Sequence, residues 1–240
     1  MKYPRIQDII LYEDENIIAL NKPAQVTTEA ENAPDALSLS DMAKRYNADI
    51  RIVHRLDRET SGVIIGAKND EWYRYFSMAF ERRKVRKEYH ALVAGVWKLE
   101  DKAIELPLSK KGSYKAVVDH REGKRAITIV NTAENFKDYT LLRCEPVTGR
   151  FHQIRVHLAS IRCPIIGDAL YGGKPFFLSD VKRKFKKNDK EDEQPVMGRT
   201  ALHAAALHFE YPEGTEKSVV APYPKDLEIS LKLLRKFSTM

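Results

Sequence analysis

The middle of the chain, from residue 103 to residue 147, alternates strand-like segments with short turns, and this pattern restricts the possible folds more than any other feature. Its strand-like segments are AVVDH, RAITIVNTAENF and YTLLRCEPV, and REGK forms a turn between the first two. Consecutive strands that are joined by tight turns pair in antiparallel fashion. We therefore predict an antiparallel sheet in this part of the chain.

The segments on both sides of this region add further strands and several helices. Strands are predicted at residues 9–12 and 17–21 and in the segments GVIIGAK, EYHALVAGVW, AALHFEY and SVVAPYP. Helices are predicted at residues 39–46, 70–83, 150–161 and 226–236, and Ser40 or Asp41 is expected to cap the first of them. This mixture predicts an α+β fold, in which helices and loops flank a long, mixed, mainly antiparallel β-sheet.

The charge and composition of the chain indicate which kinds of molecule it binds and where in the cell it is located. The chain of 240 residues has a formal net charge of +7, which modestly favours a polyanionic partner because phosphate contacts release counterions. No apolar run approaches the roughly 18 residues of a membrane span, and acids interrupt the N-terminal stretch where a signal peptide would be apolar. We therefore expect a cytoplasmic protein that makes no membrane contact. Cys144 and Cys163 are too few for a disulfide framework or a zinc site and are predicted to be buried thiols.

The segment HRLDRETSG, residues 54–62, concentrates charge in a loop that leads into an apolar strand. Its aspartate, Asp57, has Arg55 and Arg58 beside it, and nearby positive charge keeps a carboxylate ionised. An ionised carboxylate suits a nucleophile or a base better than an acid. The alternative is a surface loop whose charges merely pair with one another, and composition alone favours that alternative.

The segment RFHQIRVHL, residues 150–158, is predicted to lie on a helix with two different faces. Arg155 and His152 are three residues apart and share a polar face, so the guanidinium could grip a carboxylate or a phosphate. The apolar face is formed by Phe151, Ile154, Leu158 and Ile161. The alternative is an ordinary amphipathic helix with solvated charges. His152 and His157 point to different sides, so we predict no metal site there.

Two further segments allow a functional and a structural interpretation. In RKEYHAL, residues 86–92, basic residues precede Tyr89, which could stack on a nucleobase or belong to the core of a sheet. The segment at residues 182–194, KRKFKKNDKEDEQ, is predicted to be an exposed, mobile charged loop. It is either a solvated insertion or a basic arm that touches RNA, and the sequence supports the two interpretations about equally. The common cofactor and hydrolase motifs are missing from the chain.

Together these segments resemble the RluA-type pseudouridine synthases, which modify uridines in ribosomal and transfer RNA. HRLDRETSG is similar to that family's HRLDxxTSG signature, and RKEYHALVAG is similar to its RKxY strand. TGRFHQIRVHLASIRCPIIGDALYGG resembles its TGRxHQIRVH helix and the PIxGDxxYG turn that follows. RTALHAAALHFEYP resembles its LHA strand, and NKPAQV resembles its NKPxGx stretch. The matches follow the family order from about residue 9 to residue 224, so the resemblance covers nearly the whole chain.

The resemblance implies a fold and a set of catalytic roles. The fold would be the pseudouridine synthase catalytic fold, with residues 1–240 forming one domain of two subdomains that share a sheet and enclose an active-site cleft. No S4 domain precedes it in this interpretation. Asp57 would be the catalytic residue, Tyr89 would stack on the flipped uracil, and Arg155 would pair with Asp57 and orient it. Arg55 would hold the RNA open where the target base leaves the stack.

The remaining expectations concern binding and cofactors. The residues predicted to bind RNA or the substrate nucleotide beside Arg55 are His54, Arg58, Thr60, Arg150 and His152. Pseudouridine formation involves neither a redox change nor hydrolysis, so no cofactor and no metal are expected. The expected partner is ribosomal or transfer RNA, and the protein is expected to be a monomer. One departure from the family pattern is Ala24-Gln25, where the family often has a small residue and glycine.

Two other functions compete with this interpretation. A glycosidase-like hydrolase could use Asp57 and Glu59 as its two carboxylates and would release free uracil from RNA. A catalytically silent RNA-binding module would not depend on Asp57 at all. For a synthase, the sequence leaves open whether Asp57 attacks C1′ of the ribose, adds to the uracil ring, or removes a proton from the sugar.

Overall fold

The structure is a computed structural model that describes residues 4–30, 37–182 and 193–239. The chain forms two compact units: the first comprises Met1–Glu88 and His203–Pro222, and the second comprises Tyr89–Leu202 and Tyr223–Met240. Each unit combines helices with a β-sheet, so the predicted α+β fold is confirmed. The single domain of two subdomains that share a sheet stays a prediction.

The strands agree closely with those predicted from the sequence. In chain order they are β1 (Ile10–Glu13), β2 (Ile17–Lys22), β3 (Arg51–Ile52), β4 (Ser61–Ala67), β5 (Arg86–Ala94), β6 (Lys102–Glu105), β7 (Leu108–Lys111), β8 (Lys115–Val118), β9 (Ile127–Asn135), β10 (Tyr139–Pro146), β11 (Leu202–Glu210) and β12 (Glu216–Val220). The helices are α1 (Leu39–Tyr46), α2 (Asp70–Glu81), α3 (Gln153–Ser160) and α4 (Lys225–Phe237). Short 3-10 turns occupy Ile6–Ile9, Ala169–Tyr171 and Leu178–Asp180.

The sheet of the first unit is mixed. Its strands follow the order β1-β2-β4-β11-β12, and β3 also pairs with β4. The ladders are antiparallel except for the parallel one between β4 and β11, in which Ser61 lies opposite His203. All residues of β4 are buried, which agrees with its nearly continuous apolar sequence. Helix α2 buries Phe76 and Ala79 of its predicted apolar face.

The first helix spans the predicted residues, but its N-cap lies two residues before the nearer of the two predicted caps. Ser38, and neither Ser40 nor Asp41, is the N-cap: its Oγ accepts a hydrogen bond from the Asp41 N–H at 3.1 Å, and Asp41 accepts one from the Ser38 N–H at 3.1 Å. These reciprocal bonds form a capping box in which Asp41 occupies the position usually held by Glu or Gln. Ser40 lies inside the helix and is buried, so it cannot serve as the cap.

The second unit contains an antiparallel sheet in the order β5-β10-β9-β6 and a separate β7-β8 hairpin. Its main core includes Leu92, Leu142, Leu158 and Leu231, so sheet and helices α3 and α4 contribute to one apolar cluster. Cys144 and Cys163 are free and buried in this core, which confirms their prediction as buried thiols. Burial raises the pKa of the Cys163 thiol to about 12.

The predictions on membrane contact and on the charged segment can be compared with the described residues only. Within residues 4–30, 37–182 and 193–239, no helix has both the length and the apolar composition needed to cross a membrane. Residues 183–192 of the charged segment predicted at 182–194 lie outside the described residues.

Candidate active site

The loop that carries Asp57 joins β3 to β4 in the first unit and is fixed by backbone hydrogen bonds. The Thr60 N–H donates to the Asp57 carbonyl at 3.0 Å, which closes a turn. The preceding residue, Leu56, is buried, and both its N–H and its carbonyl bond to the Thr28 hydroxyl, at 3.1 and 2.9 Å. The half-buried Asp57 side chain therefore projects from a backbone that is held on both sides.

A fully buried lysine ties a second segment to this loop. The ammonium of Lys22 donates to the carbonyls of Pro23, Val26 and Arg58, at 2.9, 2.7 and 3.3 Å. The Gln25 N–H also donates to the Arg58 carbonyl, at 2.7 Å. These bonds lock the NKPAQV turn against the Asp57 loop and satisfy donors that burial would otherwise make costly. The sequence does not predict this role of Lys22, because a lysine beside a proline gives no indication that its side chain is buried.

The end of the loop explains why the signature closes with Ser-Gly. Gly62 has φ +117°, and a Cβ there would lie 2.2 Å from the carbonyl oxygen of Ala204, so only glycine fits. The Ser61 Oγ lies 3.0 Å from Nδ1 of the buried His203, whose Nε2 lies 3.2 Å from the Ala221 carbonyl. Because that carbonyl can only accept, Nε2 carries the proton and Ser61 donates to Nδ1.

His54, predicted to bind substrate, is part of the scaffold of the loop. Its Nε2 accepts a hydrogen bond from the Ile65 N–H at 3.1 Å, and its ring packs at a tilt against Phe80 with centroids 4.5 Å apart. Burial, and secondarily the charge of Lys87, lower the pKa of His54 to about 3, so the imidazole is neutral at pH 7. A contact of His54 with RNA stays a prediction.

The other predicted residues of this loop differ in accessibility. The side chains of Arg55 and Arg58 are exposed, whereas Thr60 is buried. Two guanidinium groups therefore flank the Asp57 carboxylate in the chain and face solvent, where they are accessible to a phosphate. Their contacts with RNA stay predictions, as does that of Thr60.

The predicted site residues of the second unit lie on β5 and around α3. Tyr89 is half-buried against the core of this unit, opposite Cys144 in the β5-β10 ladder. Arg155 is only 6% exposed, and its guanidinium binds the fully buried carboxylate of Asp168 through Nε at 2.7 Å and Nη2 at 2.8 Å. This bidentate ion pair was not predicted from the sequence. The predicted pairing of Arg155 with Asp57 stays a prediction.

Helix α3 is shorter than predicted because its N-cap has a left-handed backbone. His152, with φ 53°, precedes the first helical residue, Gln153, so residues 150–152 are outside the helix. The prediction that Phe151 belongs to the apolar face of this helix is therefore wrong, because Phe151 lies before the helix begins. Phe151 packs on a smaller cluster that includes Val156, whereas Leu158 belongs to the main core.

Arg150 and His152 are held by contacts within the second unit. The exposed Arg150 donates through Nε to the Arg125 carbonyl at 3.1 Å. His152 places Nδ1 2.9 Å from the Tyr171 hydroxyl, which also accepts from the Ala116 N–H at 2.9 Å. The ring of Tyr171 lies 5.1 Å from the Arg155 guanidinium carbon, so it forms one wall beside the buried ion pair.

His157 serves the core of the second unit. Its Nε2 donates to the Leu106 carbonyl at 3.0 Å, and its Nδ1 lies 2.9 Å from the Thr128 hydroxyl. Burial lowers the pKa of His157, which agrees with a neutral ring. His152 and His157 thus have separate partners, and the described parts of the chain contain no group of three metal-binding side chains.

Two glycines shape the turn that carries Asp168. A Cβ on Gly167 would lie 2.0 Å from the Arg199 carbonyl oxygen, and one on Gly173 would lie 1.8 Å from that of Ile165. Gly167 also has φ +74°. The turn therefore requires glycine on both sides of Asp168. The sequence analysis assigned Asp168 no role. Its position directly after a glycine, in the segment PIIGDALYGG, is the sequence feature that could have indicated one.

The comparisons with known proteins cover most of the chain. The family described as RNA pseudouridylate synthase matches residues 16–160, a range that contains Asp57, Tyr89 and Arg155. The chain is 36% identical to ribosomal large subunit pseudouridine synthase C of Buchnera aphidicola subsp. Baizongia pistaciae, over 91% of this chain and 67% of that protein. It is 35% identical to the protein of the same name from Yersinia pestis, over 100% of this chain and 73% of that protein.

Solved structures support the fold. Human RNA pseudouridylate synthase domain containing 4 superposes with a TM-score of 0.75, covering 98% of this chain and 95% of that chain at 24% identity. Human RNA pseudouridylate synthase domain containing 1 superposes with a TM-score of 0.70 and full coverage of both chains at 22% identity. At these identities the likeness concerns the fold.

Proposed function

Because the chain belongs to the RNA pseudouridylate synthase family, we propose that Asp57 is the catalytic carboxylate of its reaction. The protein is an isomerase that converts uridine in RNA to pseudouridine. The reaction detaches uracil from C1′ of the ribose, rotates the base and rejoins it through C5. It therefore needs an accessible base, a carboxylate near the sugar, and a site that keeps the detached base from escaping.

One observation carries the assignment of Asp57: its carboxylate projects from a loop whose backbone is fixed on both sides. Leu56 is held by Thr28, and the Arg58 carbonyl is held by the buried ammonium of Lys22. A catalytic group must be kept within a fraction of an ångström of its working position. Glu59 lies in the same loop, but the resemblance gives it no role.

We further propose roles for three other residues that the sequence resemblance singled out. In this proposal Tyr89 stacks on the extruded uracil, and Arg155 pairs with Asp57 and keeps it ionised. Base extrusion costs a few kcal/mol, and Arg55 helps offset it by holding the surrounding RNA open. The bidentate bond with Asp168 supports this role of Arg155, because it fixes the plane of the guanidinium group.

The proposed substrate is large-subunit ribosomal RNA in the cytoplasm. Relatives that are 36% and 35% identical to this chain are named as synthases of the ribosomal large subunit. Transfer RNA is the alternative that the sequence resemblance also implied. We propose that the protein acts as a monomer and without a cofactor, because the isomerisation changes no oxidation state and consumes no co-substrate.

The decisive experiment compares Asp57→Asn with Glu59→Gln, two isosteric changes in one loop. Each protein is incubated with unmodified large-subunit ribosomal RNA transcribed in vitro, and pseudouridine is counted by mass spectrometry. Asp57→Asn is expected to abolish conversion while it retains RNA binding, and Glu59→Gln is expected to retain conversion. Turnover by Asp57→Asn contradicts the assignment.

The same reaction separates the rival functions. Release of free uracil would indicate a glycosidase-like hydrolase. If the Asp57→Asn variant fully rescued cells that lack the protein, the protein would be a catalytically silent RNA-binding module. A parallel incubation with unmodified transfer RNA tests the substrate class. Conversion of transfer RNA alone would contradict the proposal of ribosomal RNA.

A further inference from the structure

The turn between α2 and β5 concentrates positive charge on the surface of the first unit. Between Glu81 and Glu88 the sequence ERRKVRKE holds five cations and two carboxylates. The exposed cations, which we call the basic turn, are Arg82, Arg83, Lys84 and Arg86. Lys87 follows them on β5 and is half-buried.

Three cations of the basic turn are not neutralised by neighbouring side chains that the structure describes. Within the described parts of the chain, the side chains of Arg82, Arg83 and Lys84 make no hydrogen bond and no ion pair. Burial, and secondarily the charge of Arg83, lower the pKa of Lys87 to about 8. Like charges therefore crowd one another here, and a bound anion would relieve that repulsion.

The backbone of the turn holds Arg83 where glycine would be favoured. Arg83 has φ 59°, and the N–H groups of Arg83 and Lys84 donate to the carbonyls of Phe80 and Ala79, at 3.2 and 2.8 Å. These two bonds define a Schellman motif with Arg83 at its left-handed position, which glycine occupies most easily.

The basic turn is anchored beside the loop that carries Asp57. Phe80, in the last turn of α2, packs against His54 with ring centroids 4.5 Å apart. His54 in turn accepts the hydrogen bond from the Ile65 N–H. Because α2 and the loop share this contact, an RNA strand that reaches the loop also comes within reach of the exposed cations after the helix.

We propose that the basic turn binds the phosphate backbone of the substrate RNA next to the target uridine. The contact depends on charge and is independent of base identity, because guanidinium and ammonium groups on an open surface recognise phosphates. This inference goes beyond the catalytic roles proposed above, because it concerns how the RNA is held and assigns the basic turn no part in the chemistry.

A matched pair of glycine variants tests the proposal and separates binding from folding. Arg162 ends α3 in the same way: it has φ 64°, and the N–H groups of Arg162 and Cys163 donate to the carbonyls of Ala159 and Leu158. Arg162 is also exposed, but no other lysine or arginine lies between Ala159 and Ala169. Arg83→Gly and Arg162→Gly therefore remove the same charge from the same backbone motif.

The measurement is the affinity for a fluorescein-labelled single-stranded RNA oligomer, by fluorescence anisotropy over a series of salt concentrations. Both variants should unfold at a urea concentration equal to or higher than the wild type. Arg83→Gly should weaken binding several-fold and lower the slope of log K against log salt by about 0.7. Arg162→Gly should leave affinity and slope unchanged. The triple variant Arg82→Ala, Arg83→Gly, Lys84→Ala should lower the slope by about 2 in all.

The proposal is overturned if Arg83→Gly and Arg162→Gly bind the oligomer alike, or if the triple variant keeps the wild-type slope. A wild-type protein that fails to bind the oligomer at low salt also overturns it. None of these readouts depends on turnover, so they remain interpretable if Asp57 or the ribosomal substrate proves wrong.

Discussion

The guanidinium of Arg155 and the carboxylate of Asp168 form a bidentate ion pair in the interior of the second unit, with N–O distances of 2.7 and 2.8 Å. The two side chains are 7% and 1% exposed, so neither has water as an alternative partner. Removing one member of a buried pair leaves the other charge without compensation, which costs about 3–5 kcal/mol. Asp168 therefore determines both the stability of this region and the position of Arg155.

The first prediction is that Asp168→Ala lowers the free energy of unfolding by about 3–5 kcal/mol and turnover by roughly 100-fold, because a displaced guanidinium no longer meets its target. Arg155→Ala should impair turnover as strongly. The measurements are urea unfolding and pseudouridine formation. The matched control is Asp226→Ala, since Asp226 binds Arg199 in the same bidentate way but is 36% exposed.

Asp226→Ala should cost less stability than Asp168→Ala and should leave turnover nearly unchanged. Equal stability losses in the two variants would show that burial does not distinguish the pairs. Wild-type turnover and an unchanged pH–rate profile in Arg155→Ala would remove the proposed ion-pair role of that residue.

The second prediction concerns Tyr89, whose ring is proposed to stack on the extruded base. Tyr89→Phe keeps the ring and should bind RNA almost as the wild type does, with slower turnover because the hydroxyl is lost. Tyr89→Ala should lose the stacking energy, about 1–3 kcal/mol per base, and most of the activity. Binding is measured by anisotropy and turnover by mass spectrometry. Full activity in Tyr89→Ala would argue against stacking.

Much of the fold could be predicted from local patterns. Strands β9 and β10 and helix α2 lie within about two residues of their predicted ends, because alternating or helical spacing of apolar residues reports which face is buried. The Asp57 loop was located by its charge and by its resemblance to a family signature. These features depend on residues close to one another in the chain.

The rest depends on contacts and backbone angles that spacing does not encode. The Arg155–Asp168 pair joins residues 13 apart through a turn that needs Gly167 in a left-handed conformation. The helix preceding it starts late because His152 has a positive φ, a conformation that residues other than glycine adopt infrequently. Lys22 was missed for a similar reason, since its buried position is stabilised by the carbonyl of the distant Arg58.

The third prediction follows from the one departure from the family pattern in the NKPAQV turn. Gln25 has φ 68°, where the family often has glycine. A left-handed backbone costs a non-glycine residue about 1–2 kcal/mol, whereas glycine costs about 0.5–1 kcal/mol in conformational entropy. Gln25→Gly should therefore leave the free energy of unfolding unchanged or raise it by up to about 1.5 kcal/mol.

Its control is Ala24→Gly, at the neighbouring position. Ala24 is not among the residues with positive φ, so glycine relieves no strain there and should lower the free energy of unfolding by about 0.5–1 kcal/mol. Urea unfolding measures both variants. If Gln25→Gly is destabilised as much as Ala24→Gly, the strain attributed to Gln25 is absent.

The fourth prediction is a contribution of His54 to the acid sensitivity of folding. Its pKa is about 3 in the folded protein and about 6.5 in an unfolded chain. Between these values the unfolded chain binds a proton that the folded protein excludes. The free energy of unfolding therefore falls as the pH is lowered from about 6.5 towards 3, and the His54 contribution is fully present only above about pH 6.5.

His54→Gln provides the test, because the amide oxygen can still accept the Ile65 N–H but the side chain does not titrate. The variant should be less stable than the wild type at pH 7, since the ring contact with Phe80 is lost. The stability difference should shrink as the pH falls, because only the wild type loses the His54 contribution. Urea unfolding at a series of pH values measures this difference. A gap that stays constant from pH 7 to pH 4 would show that His54 is not buried as a neutral ring.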